Sequence, residues 1–99
     1  MAEHPLETMR KIDPRFMDHL AKTDELVFAD GALPRKVKLL MALAFDAAHG
    51  AAEGVKALAQ AAMKAGATKE EIAEAVRVAY QLSGVGSVYT ASRALKDLP

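Results

Sequence analysis

The chain of 99 residues contains no cysteine. This absence excludes disulfides, thiolate metal ligands and thiol redox chemistry. Aromatic residues are also scarce, at 5% of the chain, although hydrophobic residues reach 52%. Much of that hydrophobic content is alanine, which buries little area. A domain of this size is therefore a candidate for stabilisation by oligomerisation.

Neither sign of charge is in excess, because 13 Lys and Arg residues balance 13 Asp and Glu residues. A nucleic-acid-binding domain usually has a basic excess, so we expect no nucleic-acid partner. The longest apolar run, Leu39 to Phe45, is too short to span a bilayer. Acids and a proline in Met1–Arg10 argue against a signal peptide. We expect a cytoplasmic protein that needs no cofactor and contacts no membrane.

Glycine and proline divide the rest of the chain into helical segments, and no alternating β-branched run predicts a strand. Asp13-Pro14 predicts a helix N-cap followed by the first helical position, with a helix that ends near residue 30. A second helix begins near Leu33-Pro34 and ends near His49-Gly50. Gly50 and Gly54 predict a break between it and the next helix.

That next helix is predicted from about residue 51 to 65, with Gly66 as its C-terminal stop. Thr68 and Glu71 form a capping-box pattern for a further helix. After the interruption "SGVGS" (83–87), the last helix is predicted from Val88 to Leu98. The prediction is a single all-α domain over residues 1–99, a small bundle of five or six helices.

Two segments carry a family resemblance: "LPRKVKLLMALA" (33–44) and "AMKAGATKEEIAEAVRVA" (62–79). Together they resemble the carboxymuconolactone decarboxylase and alkylhydroperoxidase D-like family. The family-like core covers residues 30–95, and residues 1–30 form an N-terminal helical segment that fits only loosely. The resemblance implies an all-α fold that assembles as a homo-oligomer, usually a trimer or a hexamer.

The same resemblance also shows which functional groups are missing. The peroxidase branch has a Cys-x-x-Cys pair, a histidine and a glutamate, whose positions match Ala51, Gly54, Leu58 and Leu39 here. Thiol-peroxidase chemistry needs the thiolate and the relay groups, so that activity is not expected. The decarboxylase branch keeps the histidine, so Leu58 also argues against a plain transfer of lactone decarboxylation.

Asp46, His49 and Glu53 form the best polar constellation in the sequence. A histidine beside a carboxylate is suited to general acid–base catalysis, and here His49 is the candidate base, oriented by Asp46 or Glu53. Two other interpretations stay open. His49 can instead cap the end of its helix while the two acids are solvated. The trio can also hold a divalent metal, although we predict none.

A second candidate region is "AYQLSGVGSVYTASR" (79–93). Its glycines permit a turn that presents backbone N–H groups to an anion at the start of the last helix. The candidate substrate-binding residues in this region are Tyr80, Ser87, Tyr89 and Arg93. The alternative is a simple helix–helix turn in which the hydroxyls satisfy helix ends.

Two functions are compatible with these observations. In the first, a homo-oligomeric enzyme or former enzyme binds a small organic acid or lactone in a pocket between subunits. Its chemistry would be lyase-like and acid–base if it is active, and the sequence does not decide whether it is. In the second, the chain is a non-catalytic binding or assembly protein, and small residues such as Ala51 and Gly54 serve close helix approach.

Overall fold

The computed structural model describes residues 6–99, and over this range the chain forms six α-helices and no strand. The predicted all-α class is confirmed. The helices are α1 (Glu7–Ile12), α2 (Pro14–Phe28), α3 (Arg35–Ala48), α4 (Ala52–Lys64), α5 (Lys69–Ser83) and α6 (Gly86–Ala94). Residues 1–5 of the predicted N-terminal segment lie outside the described residues. Within the described range, no helix is long and apolar enough to cross a membrane.

The core lies between α3, α4 and α5, and the residues that fill it are mostly small. Leu43, Val55 and Ile72 are the largest fully buried apolar side chains, one from each of these helices. The remaining buried members of this cluster are Ala47, Ala59 and Ala79. The first turns of α3 and α5 lie together, because Lys36 Nζ is 3.0 Å from Glu71 Oε2.

The two turns that flank α4 have the same hydrogen-bond pattern, in which a left-handed glycine ends a helix. At the end of α3, Gly50 has φ of 78°, and the Ala51 N–H donates to the Asp46 carbonyl at 2.8 Å. At the end of α4, Gly66 has φ of 101°, and the Ala67 N–H donates to the Ala62 carbonyl at 2.9 Å. Glycine adopts this conformation without steric cost, so the predicted stops at Gly50 and Gly66 are confirmed.

The predicted N-caps are also present. The Asp13 carboxylate accepts the Phe16 N–H at 3.1 Å, with Pro14 as the first residue of α2. The Thr68 hydroxyl accepts the Glu71 N–H at 3.1 Å, and the Glu71 carboxylate accepts the Thr68 N–H at 2.9 Å. These reciprocal bonds complete the capping box that begins α5.

The last helix is displaced from its predicted bounds. It begins at Gly86 instead of Val88, because Gly84 turns the chain at φ of 99° and the Ser87 N–H donates to the Gly84 carbonyl. It ends at Ala94 instead of Leu98. Leu95 and Leu98 lie in a tight turn after the helix and pack against the core, which a continued helix would not allow.

The N-terminal helices differ from expectation in packing. The sequence predicts an apolar stripe on α2 that includes Phe16 and Val27, yet both are about half exposed. Met17 is the buried residue of this helix. The reason is that α2 packs mainly on α1 and on α3, so the core of the bundle does not cover its stripe.

Candidate functional site

His49 is the residue at the C-terminal cap of α3, immediately before the left-handed Gly50. Its backbone N–H donates to the Phe45 carbonyl, and its ring stacks on the Phe45 ring with centroids 6.4 Å apart. The side chain is exposed. Among the described residues, its imidazole makes no hydrogen bond to Asp46 or Glu53. A single subunit therefore does not assemble the predicted trio around His49.

The Asp46 side chain lies against the first turn of α4. A Cβ built on Gly54 would lie only 2.8 Å from the Asp46 Cγ, so the carboxylate occupies the space that a side chain at position 54 would need. This places a negative charge beside a helix N-terminus, where the helix dipole favours it. Gly54 is therefore small because Asp46 packs on it.

Glu53 contacts neither His49 nor Asp46 through a hydrogen bond. It lines a groove along α4, which we call the α4 groove. Its volume is about 1360 Å³. Small residues of α4 and of its C-cap line it: Gly54, Ala57, Ala61 and Ala65. Its basic lining residues are Arg35, Lys36, Lys56 and Lys64, and its acidic ones are Asp30 and Glu53.

The basic side chains of the α4 groove differ in whether they form an ion pair or a hydrogen bond. Lys36 pairs with Glu71, and the Arg35 guanidinium donates to the Phe28 carbonyl at 3.3 Å. Lys56 and Lys64 are exposed and form no ion pair with the described residues. Neither lysine is among the site residues predicted from the sequence. Their spacing of eight residues on one helix face was the signal that they line a common surface.

The second predicted region is split between the core and the surface. Ser87 is buried, and its hydroxyl donates to the Gly84 carbonyl at 2.8 Å, as the helix–helix-turn alternative expects. Tyr80, Tyr89 and Arg93 are exposed. None of the four lines the α4 groove. Their assignment to substrate binding thus stays a prediction that needs a partner subunit.

A second cavity, the α3–α5 groove, is almost entirely apolar. It lies between the outer faces of α3 and α5 and has a volume of about 440 Å³. Its lining includes Met41 and Phe45 of α3 and Val78 and Leu82 of α5, all of them exposed large hydrophobic residues. The acidic residues Glu71 and Glu74 also line it. This lining offers packing surface and little chemistry.

The four positions that the family resemblance matches to the peroxidase residues lie on or next to α3 and α4. Ala51 is the N-cap of α4, and Gly54 follows in its first turn. Leu39 is buried, and Leu58 packs against the cluster that contains it. The positions of the relay glutamate and histidine therefore form part of the apolar core. The described residues also hold no group of three or more His, Asp or Glu that could bind a metal ion.

These features define a class of protein: a small all-α subunit without cysteine, whose α3–α4 contact is lined by apolar side chains such as Leu39 and Leu58. The model of the carboxymuconolactone decarboxylase family matches residues 14–97, and the chain belongs to this family. An uncharacterized protein of Methanocaldococcus jannaschii is 30% identical over 93 residues, which cover 94% of this chain and 87% of that protein.

The fold agrees with a solved structure from the same family. The crystal structure of an apo carboxymuconolactone decarboxylase family protein from Legionella pneumophila superimposes with a TM-score of 0.83 at 31% identity. The match covers 92% of this chain and 81% of that one. The family resemblance in the sequence is confirmed, and it holds for a chain that has no cysteine.

Proposed function

We propose that this protein is a homo-oligomer, a trimer or a hexamer, that binds a small organic acid or lactone in the α4 groove. The observation that carries the proposal is that Lys56 and Lys64, which form no ion pair within residues 6–99, line a groove that also contains Glu53. A lysine ammonium is a compact positive charge that attracts a carboxylate. The small residues of α4 leave room for a ligand to approach the helix backbone.

Catalysis, if the bound acid is turned over, falls to His49 as general base, with Asp46 or Glu53 as the orienting carboxylate. The position of Glu53 in the groove supports its part in this proposal. His49 and Asp46 line neither of the two grooves described, so the neighbouring subunit must bring a pocket wall to them. Tyr80, Tyr89 and Arg93, which are exposed, are the candidates for that wall.

The experiment measures thermal stabilisation by a panel of small carboxylic acids and lactones, because a ligand that binds the native state raises Tm by mass action. We expect Lys56→Gln with Lys64→Gln to weaken binding about tenfold, the effect of about 1.4 kcal/mol of lost interaction. Lys69→Gln is the matched control, since Lys69 is an exposed lysine outside the groove. Equal stabilisation of all three proteins would refute the proposed ligand site.

A separate variant tests the catalytic part. We expect His49→Ala to abolish turnover of an acid that the wild type converts, while ligand stabilisation and folding persist. Unchanged turnover would remove His49 from the mechanism.

The alternative function is a non-catalytic assembly protein. It is favoured by the replacement of the family's relay positions with Leu39 and Leu58, which bury apolar surface instead of holding a proton relay. In that case no acid of the panel stabilises the protein, while the oligomer persists.

A further inference from the structure

The helices α1 and α2 form an N-terminal arm (7–28) that leaves most of its apolar side chains uncovered. Ile12 is 70% exposed, Phe16 49% and Val27 49%. On α2, Phe16 and Val27 lie eleven residues apart, which is three helical turns and places them on one face. Met17 is the buried residue of α2, although this helix is 15 residues long.

The arm is tied to its own subunit at its C-terminal end. Phe28 packs against the cluster of Leu39, Ala62 and Ala67, and the Lys38 ammonium donates to the Ala29 carbonyl at 2.7 Å. α2 also packs on α1, and Met17, in the first turns of α2, is buried. The arm is thus held at Met17 and at its C-terminal end, while Ile12, Phe16 and Val27 stay exposed.

The α3–α5 groove is complementary to such a helix. The two helices that line it lie side by side, and their exposed apolar residues leave an open channel between them. Leu82 is 82% exposed and Phe45 64%. Burying an amphipathic helix in an apolar groove between two helices is a common mode of recognition, and the helix supplies anchors at three- and four-residue spacing.

The total exposed surface is larger than a compact monomer of this mass would have. A monomeric protein of 10.6 kDa should expose about 5,500 Å². This chain exposes 7055 Å². The excess of about 1,500 Å² per subunit exceeds the roughly 800 Å² that each partner buries in a standard interface, and falls in the range of obligate assemblies. A second copy of the chain has the same excess of exposed surface and the same two apolar surfaces.

We propose that the N-terminal arm of one subunit docks in the α3–α5 groove of a second copy, an inference that rests on the homo-oligomer proposed above. The contact joins two different surfaces, so each subunit gives an arm and receives one in a closed assembly. Ile12, Phe16 and Val27 of the arm bury against Met41, Phe45 and Leu82 of the neighbour. The two apolar surfaces that a single subunit leaves open thereby cover each other.

The experiment uses light scattering to measure the mass of the full chain and of two charged variants. Leu82→Asp disables the groove and leaves the arm intact, whereas Phe16→Asp disables the arm and leaves the groove intact. We expect each variant alone to lose mass relative to the wild type. Mixing the two should restore a larger species, because the arm of the Leu82→Asp chain still fits the groove of the Phe16→Asp chain.

Val85→Asp is the matched control, since Val85 is 56% exposed but lies outside both surfaces. It should keep the wild-type mass. Circular dichroism checks that each variant is folded, and Phe45→Asp with Val27→Asp replaces the first pair if either of its members unfolds. A wild-type monomer, loss of mass by Val85→Asp, or a mixture no larger than its components would overturn the proposal.

One result would identify a different partner surface. If Phe16→Asp and Val27→Asp keep the wild-type mass while Leu82→Asp loses it, the groove docks on the same groove of the second copy and the arm proposal is wrong. Failure of the arm proposal is separable from failure of the ligand proposal. The ligand proposal is measured by Tm with Lys56 and Lys64, and neither lysine belongs to the arm or to the α3–α5 groove.

Discussion

At the residue scale, the contact between Asp46 and Gly54 makes position 54 sensitive to any added side chain. Replacing glycine by alanine inside a helix usually stabilises it by about 1 kcal/mol. At position 54 the new methyl group would lie 2.8 Å from the Asp46 Cγ, so the carboxylate must move. We expect Gly54→Ala to gain none of that stability in the wild-type background.

The same substitution should behave differently once the carboxylate is removed. In an Asp46→Ala background we expect Gly54→Ala to stabilise the protein by about 1 kcal/mol, so the two changes are coupled. Urea unfolding of the four proteins measures the coupling. Gly86→Ala is the control, because a Cβ there meets nothing within 4 Å. Additive effects at positions 46 and 54 would contradict the prediction.

A second residue-scale effect concerns Glu71, which joins α5 to α3. The Thr68 backbone N–H, first, and the Lys36 ammonium, second, hold the pKa of Glu71 below its ordinary value. A carboxyl whose pKa is lowered on folding stabilises the protein above its unfolded pKa of about 4.3. That contribution is lost as the pH falls through the lower folded value.

We therefore expect Glu71→Gln to reduce Tm at pH 7 and to differ less from the wild type as the pH falls from about 5 to 3. Thermal melts across that range measure the difference. Glu70→Gln is the control, because Glu70 lies in the same first turn but does not take part in the capping box. A difference that stays constant with pH would show that the charge of Glu71 is not responsible.

At the scale of single elements, the capping box makes α5 the helix whose start depends most on one hydroxyl. We expect Thr68→Ala to lower the free energy of unfolding by about 1 kcal/mol, since it leaves the Glu71 N–H without its side-chain acceptor. Thr23→Ala is the control, because the Thr23 hydroxyl only donates to the His19 carbonyl one turn earlier. Chemical unfolding measures both. Equal losses of unfolding free energy in the two variants would mean that the Thr68 cap contributes no more than a hydroxyl inside a helix.

The elements that the sequence predicted correctly are those fixed by local chemistry. A helix start or end is set by backbone geometry or by a short-range hydrogen bond at Pro14, Gly50, Gly66 and Thr68. The identity of each of these residues was therefore sufficient to predict that helix boundary. The start of α6 was predicted two residues late, because the turn at Gly84 depends on how α5 ends. The short helix α1 was not predicted as a separate helix, since no capping side chain marks its start.

The candidate site was predictable only in part, for a physical reason. Spacing placed Asp46 and His49 on neighbouring positions of α3, but it does not determine where side chains point once α4 packs beside them. The left-handed Gly50 turns the chain, so Glu53 faces the α4 groove while Asp46 covers Gly54. The groove itself depends on the packing of α3 and α4 and on the loop before α3, contacts that no single segment contains.

At the scale of the whole molecule, stability and assembly should be linked. The described core is built mainly from alanine and a few larger side chains, while Ile12, Phe45 and Leu82 are exposed. Burying these residues against a second copy stabilises the native state by mass action, so Tm should rise with protein concentration. We expect a rise of about 3–5 °C for each tenfold increase in concentration, given the entropy of unfolding of a chain of this length.

The measurement is a series of thermal melts of the wild type over a hundredfold range of concentration, with Leu82→Asp melted in parallel. Leu82 is 82% exposed, so its substitution removes little from the subunit's own core. The variant should therefore melt at a lower temperature that depends less on concentration, because the remaining stability comes from contacts within one chain. A wild-type Tm that is independent of concentration would mean that the apolar surfaces of α2, α3 and α5 are not held together by self-association.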